Sequence, residues 1–484
     1  MFKKIIPTPK NINLTNNDIS FDATICPATC FAPAIEAFID YAARTGINFA
    51  TESNGAITVN KDDSLKNGEY KIIINNEGIN LYAADLPGMN HAFASVLQLI
   101  NKADAPQKFS LPEGTIHDCP DNWYRGLMVD LARAWHGYDY LLRYVDMCYF
   151  YKVAFLQLHF TDDQSYTLPS DLFPGLPTKD RHYTKEQIAK LSEYATARGV
   201  MIIPEIDVPG HCTSFKIAYP ELFGTNGLIC QHEDSMKAMK NLFGELCDMF
   251  SDSKYIHIGG DEAAIANWTT CEKCNEYIAS KGIDVTIENK RLLSEMMLAN
   301  FVSEMADAVF AKGRTPIVWE GFAKEVNHMV SRDIIVMSWE NFYQTTPSLL
   351  EEGFNIINCA WKPMYIVAPV IIRSTQDVYD WTVNKWRAVH PESPYLNETY
   401  EATPTKAILG GQLLAWGDQL TRAYPSVRES IADESRLIQE RIPYLAQNTW
   451  NTNKVMSYEE FAGANEPING KLEKLLAQWS TDNK

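Results

Sequence analysis

The sequence predicts an α/β protein in which a (β/α)8 TIM barrel follows a small α+β domain. After residue 124, short apolar runs alternate with long helical stretches. Eight such runs span about 290 residues, which is close to the length of a barrel of this type with insertions. Polar and aromatic residues follow the carboxyl end of nearly every run, where a barrel would gather them at one mouth. An open, doubly wound sheet is the alternative, and the residues at the strand ends favour the barrel.

The N-terminal region is predicted to form the small α+β domain. Residues 33–45 and 89–100 have the apolar spacing of helices, and residues 71–82 read as strand, turn and strand. Turn-forming residues at 118–122 indicate a boundary. The predicted domains are 1–118, the small α+β domain; 119–445, the barrel; and 446–484, a C-terminal helical tail.

The eight predicted strands are short and are bounded by turn-forming residues. Helical stretches such as 184–198 and 289–312 lie between several of them. This alternation implies parallel strands that are joined by right-handed crossovers. The strands are predicted at 126–131, 153–159, 200–206, 255–258, 316–319, 334–339, 355–359 and 408–416.

The composition excludes two classes of protein. The chain has 484 residues, a formal net charge of -18 and 46% hydrophobic residues. It lacks the basic run that a nucleic-acid binder would carry, and no apolar stretch is long enough to cross a bilayer. We therefore expect no nucleic-acid partner and no membrane span, and no feature indicates an oligomeric state.

The N-terminal residues begin like a secretion signal, but no apolar core follows Lys3 and Lys4. We expect a cytoplasmic protein as the chain stands, and a periplasmic or secreted one if a leader has been removed. Cys271 and Cys274 form a C-x-x-C pair without a second such pair. A disulfide or two free thiols is favoured over zinc, because a closed zinc site takes four ligands. The sequence therefore predicts no metal and no cofactor.

Two adjacent carboxyl groups and three tryptophans suggest the chemistry of the mouth. Asp261 and Glu262 follow two glycines at the end of the fourth predicted strand. Trp319, Trp339 and Trp416 end the fifth, sixth and eighth strands, and the face of a sugar ring packs well on such aromatic surfaces. Two carboxyl groups in a dry, aromatic site are what glycosidic cleavage requires. Apolar surroundings are expected to raise the pKa of the acid that donates the proton.

Four segments carry a family resemblance. Read in order, they are similar to the motifs of the family 20 glycoside hydrolases, the β-N-acetylhexosaminidases. The resemblance covers about residues 1–445 and implies an exo-acting enzyme that releases terminal β-linked N-acetylglucosamine or N-acetylgalactosamine from glycans. The segments are 125–133 (RGLMVDLAR), 159–164 (HFTDDQ), 204–211 (PEIDVPGH) and 257–263 (HIGGDEA).

The resemblance also implies a retaining, substrate-assisted mechanism through an oxazolinium intermediate. Glu262 would act as general acid and then as general base, and Asp261 would orient the acetamido group and stabilise its developing charge. Tyr365 would donate to the acetamido carbonyl. Arg133 would bind the outer hydroxyls, and a supporting network would tune the acid. The implied substrate-binding residues are Arg133, His211, Trp319, Trp339, Tyr365, Trp416 and Asp418, and the supporting residues are His159, Asp207 and one or both of Asp162 and Asp163.

The chain departs from the family pattern at two places. Asp418 stands where the family commonly has a glutamate, and Val367 stands near the position of a common aspartate. Both positions are expected to face the part of the sugar that distinguishes gluco from galacto. The choice between N-acetylglucosamine and N-acetylgalactosamine therefore stays open.

Three other functions are compatible with parts of this pattern. One is a glycan-binding protein without activity on the same barrel, for which the Asp261–Glu262 pair has no use. Another is a glycosidase that uses Glu205 or Glu320 as a protein nucleophile, which would cleave β-glucosides. A metal-dependent barrel hydrolase would be inactivated by EDTA, and its potential ligands are His159, Asp162, Glu205, Asp207, His211, His257 and Asp261.

Overall fold

The computed structural model describes residues 4–103, 107–225 and 227–479. It contains a small α+β domain followed by a closed parallel barrel with helices outside, so the predicted fold class is confirmed. Residues 1–3, on which the expectation about a leader partly rests, lie outside the described residues. Within the described ranges, no helix has both the length and the apolar character that crossing a bilayer needs.

The small domain is a mixed sheet covered by two helices, Ala32–Arg44 and Leu86–Leu99. Both helices lie close to their predicted positions, and the strand pair predicted over residues 71–82 is an antiparallel hairpin. A 3-10 turn, Thr29–Phe31, precedes the first helix. The strands of this sheet are Asn11–Asp22, Thr24–Ile25, Ala50–Thr51, Ile57–Lys61, Tyr70–Asn75, Gly78–Ala83, Asn101–Lys102 and Lys108–Asp118.

Sequence reasoning missed the two longest strands of this domain. Asn11–Asp22 and Lys108–Asp118 pair antiparallel, with a break in register between Leu14 and Asp18. Asn11–Asp22 forms the edge of the sheet, and most of its side chains are exposed. A strand with both faces largely in water needs no alternation of apolar and polar residues, so its sequence has no strand signature.

The barrel closes because its last strand pairs with both the seventh and the first. All neighbouring strands are parallel, and every one overlaps a predicted strand. In chain order the strands are β1 (Tyr124–Asp130), β2 (Phe155–His159), β3 (Met201–Val208), β4 (Tyr255–Gly259), β5 (Thr315–Trp319), β6 (Ile335–Ser338), β7 (Asn355–Asn358) and β8 (Ile408–Ala415).

The connections around the barrel differ in length. Long helices follow β1 to β4 and β8, whereas only a 3-10 helix follows β5 and a short helix follows β6. The C-terminal helix packs on both domains, since Tyr151 donates to Asn465 (3.1 Å) and Lys471 donates to the Gln98 carbonyl (2.8 Å). The helices that follow the small domain are Tyr138–Phe150, Lys185–Ala197, Thr213–Ala218, Pro220–Phe223, Glu233–Met249, Glu272–Ser280, Lys290–Ala311, Thr346–Glu351, Trp361–Met364, Thr375–Asp380, Leu420–Ala423, Val427–Trp450 and the C-terminal helix Tyr458–Leu476. Two 3-10 helices and three short strands complete the connections: Ile265–Thr270, Lys324–Met329, Tyr365–Ile366, Lys385–Arg387 and Thr399–Glu401.

A row of buried polar side chains runs through the barrel interior toward the carboxyl ends of the strands. The Tyr124 hydroxyl donates to Gln412 (2.5 Å), and the Gln412 amide donates to Gln157 (2.8 Å). Gln157 in turn donates to Glu205 (2.7 Å). Unpaired polar groups would be costly here, so these hydrogen bonds hold the Glu205 carboxylate in place beneath the mouth of the barrel.

A buried carboxylate joins the small domain to the barrel. Asp146, on the barrel side, accepts hydrogen bonds from Tyr41 (2.7 Å) and Arg44 (2.7 Å) of the small domain. Tyr194 of the barrel donates to the same carboxylate (2.6 Å). Breaking a buried ion pair leaves an uncompensated charge, so this contact couples the stability of the two domains.

Candidate active site

The carboxyl ends of the barrel strands surround a cavity of about 290 Å³. The loops after β1, β3, β4, β6 and β8 contribute to its wall, as does the connection between β7 and β8. This is the end of a barrel where active sites form. The predicted site residues that line the cavity are Arg133, Asp207, His211, Asp261, Glu262, Trp339, Tyr365, Trp416 and Asp418.

The turn that presents the acidic pair depends on glycine. Gly259 and Gly260 have φ angles of 71° and 113°, which favour glycine. A β-carbon at Gly259 would lie 2.0 Å from Oδ1 of Asp207, so a side chain does not fit there. Glu262 itself has a φ of 46°, which is unusual for a residue with a side chain. The tight turn therefore places Asp261 inside the mouth and Glu262 at its rim.

Asp261 is a buried carboxyl group with an unused acceptor. Among the described residues, its Oδ1 has no hydrogen-bond partner. Burial raises the pKa of Asp261 well above its ordinary value, and the charge of Asp207 adds to this, while His211 opposes it. Burial also raises the pKa of Asp207 to about 7, against the effect of His211. Oδ1 of Asp207 and Oε2 of Glu340 are likewise without a partner among the described residues, so the cavity holds several buried oxygens that could accept from a ligand N–H or O–H, and that of Asp261 lies beside Glu262.

Glu262 belongs to a chain of charged groups. Its side chain is 52% exposed, and its Oε2 lies 3.4 Å from Nε2 of His211, whose Nδ1 lies 3.3 Å from Oδ1 of Asp162. Burial lowers the pKa of His211, but the nearby carboxyl groups of Asp207, Asp162 and Glu262 have a larger effect in the opposite direction. The pKa of the imidazole is therefore raised well above its ordinary value. The hydrogen bond from His211 lowers the pKa of Glu262, against the effect of burial. The expectation that apolar surroundings raise the pKa of Glu262 is therefore wrong for this structure, because the neighbouring imidazolium outweighs them.

The structure separates the two aspartates that the sequence could not. Asp162 is buried, and it contacts His159 (3.0 Å), His211 (3.3 Å) and Arg133 (2.8 Å). Asp163 is exposed and accepts hydrogen bonds from the backbone N–H (3.0 Å) and hydroxyl (2.6 Å) of Thr213. Asp162 thus lies in the charged network, whereas Asp163 fixes the start of a short helix.

Arg133 lies between three carboxyl groups. Its guanidinium is 2.9 Å from Asp130, 2.8 Å from Asp162 and 3.6 Å from Asp418, and it lies 5.2 Å from the centroid of the Trp416 ring. Burial lowers the pKa of the guanidinium, but the three carboxylates outweigh this and raise it. Asp418 is more exposed than the other two, so Arg133 and Asp418 together present a polar edge to the cavity.

Aromatic rings form another wall. Trp339 and Tyr365 are nearly parallel, with ring centroids 6.2 Å apart and planes 7° apart. The Trp416 ring lies 5.9 Å from that of Tyr365. Trp319 is buried behind Trp416 (5.8 Å), and its ring N–H donates to Glu205 (2.7 Å). Trp339, Tyr365 and Trp416 therefore line the cavity, whereas Trp319 supports the wall from behind.

The two glutamates considered as protein nucleophiles are engaged outside the cavity. Glu205 contacts His159 (3.1 Å). Burial raises the pKa of Glu205, but the charge of His159 helps to outweigh burial and lowers this pKa to about 2. Glu320 accepts from the backbone N–H groups of Asn341 (3.1 Å) and Phe342 (2.8 Å). Both carboxyl groups thus hold the wall and the loop beside it rather than face a substrate.

Sequence reasoning missed several residues of the cavity. Glu340 directly follows the tryptophan at the end of β6, and this position at a strand end could have identified it as a cavity residue. Burial raises the pKa of Glu340 to about 9. Trp361 and His390 come from the long connection between β7 and β8, whose course no local pattern reveals. Val367 and Ile371, from the same connection, make part of the cavity apolar.

Two family profiles cover most of the sequence. The profile of "Glycosyl hydrolase family 20, catalytic domain" matches residues 123–450, and that of "Glycosyl hydrolase family 20, domain 2" matches residues 3–119. The chain belongs to glycosyl hydrolase family 20. The predicted family and the prediction of a glycoside hydrolase are therefore confirmed.

Three known proteins resemble this hydrolase along most of its length. A β-hexosaminidase of Akkermansia muciniphila is 26% identical, and the match covers 89% of this chain and 97% of the relative. The exo β-N-acetylglucosaminidase of Vibrio harveyi, solved with N-acetylglucosamine, has a TM-score of 0.81 and 20% identity over 98% of this chain and 77% of its own. The β-N-acetylhexosaminidase of Bacteroides fragilis has a TM-score of 0.80 and 22% identity over 98% of this chain and 96% of its own. These two structures share the fold of this family 20 hydrolase.

Proposed function

We propose that this family 20 hydrolase, an exo-acting β-N-acetylhexosaminidase, uses the acetamido oxygen of its substrate as the nucleophile. The observation that carries the proposal is the buried Asp261 carboxyl group, which lines the cavity beside Glu262 and has an oxygen without a partner among the described residues. A substrate acetamido N–H supplies the missing donor. As the acetamido oxygen attacks C1, the Asp261 carboxylate stabilises the positive charge that develops on that group.

Glu262 donates a proton to the glycosidic oxygen and recovers one from the water that opens the oxazolinium ring. Without substrate, His211 holds the proton beside Glu262, since the pKa of His211 is raised and that of Glu262 is lowered. A sugar in the cavity excludes water from the half-exposed Glu262, and loss of water raises the pKa of a carboxyl group. Substrate binding therefore moves the proton to Glu262, where the reaction needs it, while Asp162 keeps the imidazole oriented.

The cavity suits one terminal sugar ring. At about 290 Å³ it lies near the lower end of the range for small-molecule sites, in keeping with exo action. Tyr365 donates to the acetamido carbonyl, and Arg133 with Asp418 binds the outer hydroxyls. Val367 lies near the position where the family pattern commonly has a carboxylate, and together with Ile371 it makes this side of the cavity apolar, so substituents on that side of the sugar meet fewer polar groups.

The charges of the site disfavour the metal-dependent alternative. A divalent ion there would be bound by Asp162, His211 and their neighbours. The Arg133 guanidinium already lies 2.8 Å from Asp162, and the raised pKa of His211 favours its protonated form. A metal would have to displace the proton of His211 and the contact between Arg133 and Asp162, so the arrangement that is present favours proton transfer.

A panel of aryl β-glycosides tests the mechanism. The enzyme is expected to hydrolyse N-acetylglucosaminide or N-acetylgalactosaminide substrates, with the 6-sulfo derivative probing the apolar side, and to leave the glucoside intact. A thiazoline mimic of the cyclised intermediate is expected to inhibit tightly, because it resembles the transition state. Comparable kcat/KM values for the glucoside, or indifference to the thiazoline, would require a protein nucleophile instead.

A further inference from the structure

Three cysteines meet behind the loop that carries the acidic pair. The Cys230 sulfur lies 3.3 Å from that of Cys274 and 3.8 Å from that of Cys271, and all three sulfurs lie within 4.8 Å of one another. All three are free thiols. Cys271 and Cys274 are the C-x-x-C pair noted in the sequence, and the third thiol comes from a segment about 40 residues earlier in the chain, which no spacing rule connects to the pair.

The arrangement has the geometry of a thiolate metal site. A tetrahedral zinc ion with Zn–S bonds of about 2.3 Å holds its sulfur ligands about 3.8 Å apart. A disulfide, in contrast, needs sulfurs about 2 Å apart and would leave one of the three thiols over. Cys230 and Cys271 are only partly buried, so water can reach the fourth ligand position. Three protein ligands and one water would therefore complete the tetrahedron.

Two of the three cysteines lie at the start of a helix. Cys271 occupies the N-cap position of the nine-residue helix Glu272–Ser280, and Cys274 lies in its first turn, so both sulfurs face the end of the helix whose dipole favours anionic ligands. Thiolate ligands suit a soft or borderline divalent ion such as Zn²⁺, and binding of the ion releases the thiol protons to solvent.

The cluster joins the two loops that present the proton-transfer pair. The backbone N–H of Ile229, next to Cys230, donates to the Pro209 carbonyl (2.9 Å), close to His211. The ring N–H of Trp268, in the loop after Glu262, donates to the Ile229 carbonyl (2.8 Å). Both His211 and Glu262 have positive φ angles, 44° and 46°, which the surrounding structure must hold.

We infer that Cys230, Cys271 and Cys274 bind one Zn²⁺ as thiolates and so fasten the Glu262 loop to the His211 loop. Binding displaces up to one proton from each thiol to the buffer and involves no change of oxidation state. Zinc binding does not depend on the proposed function; only the consequence for Glu262 does. The ion would be a structural brace outside the cavity, and the three cysteines would be positioning residues.

Zinc content tests the inference directly. The full-length protein, purified under reducing conditions with zinc present and then dialysed, is expected to retain one zinc per chain by mass spectrometry of the metal. Cys230→Ser and Cys274→Ser are expected to lose it, and Cys30→Ser, which changes an exposed thiol of the small domain, is expected to keep it. Cobalt-loaded protein should show thiolate-to-cobalt charge transfer that disappears in Cys230→Ser. Equal zinc content in the wild type and Cys230→Ser would overturn the site, as would a disulfide within the cluster in freshly reduced protein.

Thermal stability gives a second readout that does not depend on catalysis. Removing zinc from the wild type with a strong chelator is expected to lower its Tm, and added zinc should restore it, because a ligand that binds only the folded state stabilises that state. Cys30→Ser should behave in the same way. The Tm of Cys271→Ser should not respond to zinc or chelator. Because position 271 is only half-buried and tolerates serine, this variant remains usable if Cys274→Ser fails to fold. A wild-type Tm that ignores zinc and chelator rejects the site. Full zinc content in a protein that hydrolyses glucosides would instead reject the proposed function alone.

Discussion

Replacement of Asp261 by asparagine is the sharpest test of the mechanism. The change keeps the size of the side chain and one oxygen that can accept from the acetamido N–H, but it removes the negative charge. Asp261 is buried at 8% relative exposure and lines the cavity, so the charge acts on the substrate with little screening by water. The variant therefore separates the orientation of the acetamido group from the stabilisation of its charge.

The expected loss can be worked from this geometry. A carboxylate about 4 Å from a full positive charge, at an effective dielectric constant of about 20, contributes about 4 kcal/mol. Removal of one preorganised stabilising group in other enzymes costs roughly 2.7–4 kcal/mol. Because the transition state carries only part of the charge and asparagine can still accept a hydrogen bond, we expect a loss of about 2–4 kcal/mol, or roughly 30- to 1,000-fold in kcat.

The assay measures kcat and KM for an aryl N-acetyl-β-glucosaminide and for its N-trifluoroacetyl analogue, whose amide oxygen is a weaker nucleophile. Wild-type rates should fall with fluorination, and Asp261→Asn should lower kcat for the N-acetyl substrate more than it changes KM. Asp63→Asn is the matched control, since Asp63 is 78% exposed in the small domain and should leave both constants unchanged. Wild-type kcat in Asp261→Asn, or equal rates for the two substrates in the wild type, would refute participation of the acetamido group.

Two further substitutions test the charges of the site, and a third tests the junction between the domains. Glu262→Gln should abolish turnover of substrates with poor leaving groups but retain much more activity toward a 2,4-dinitrophenyl glycoside, which needs no acid; equal losses on both would exclude the assigned role. Asp207→Asn removes a like charge that raises the pKa of Asp261, so the pKa of Asp261 should fall. Because Asp261 must be ionised to act, the acidic limb of the pH profile of kcat/KM should move to lower pH. An unchanged acidic limb would contradict this coupling. Asp146→Ala removes the buried acceptor of Tyr41, Tyr194 and Arg44, and it leaves the Arg44 guanidinium only its contact with the partly exposed Asp40. The change should lower the free energy of unfolding in urea by about 3 kcal/mol, whereas Asp63→Ala should lower it by less than about 0.5 kcal/mol.

Most residues of the candidate site that directly follow a strand could be predicted, although Glu340 was missed. His211, Asp261, Glu262 and Trp339 come within a few residues of the ends of β3, β4 and β6, and parallel strands of a barrel bring such positions together. His390 could not be predicted, because it reaches the cavity through a long connection whose path depends on packing against the rest of the fold.

Electrostatic roles were less predictable than positions. The sequence places a carboxyl group at Glu262 but does not reveal that an imidazolium lies 3.4 Å away, and that neighbour reverses the expected direction of its pKa shift. The choice between Asp162 and Asp163 was open for the same reason, since adjacent residues differ only in what lies across from each side chain. The sign of a pKa shift depends on distances between groups that are far apart in sequence.

The sequence by itself determined the barrel, its order of strands, the family and the residues at the strand ends. Periodicity and short motifs involve residues that are close in sequence, so they can be recognised without the tertiary structure. Only the tertiary structure decided which carboxyl groups keep an unused oxygen in the cavity, which tryptophan lies behind the wall, and that a third thiol joins the C-x-x-C pair. Those outcomes rest on contacts between segments tens to hundreds of residues apart, and their energies vary steeply with separation and with exclusion of water, neither of which a linear sequence contains.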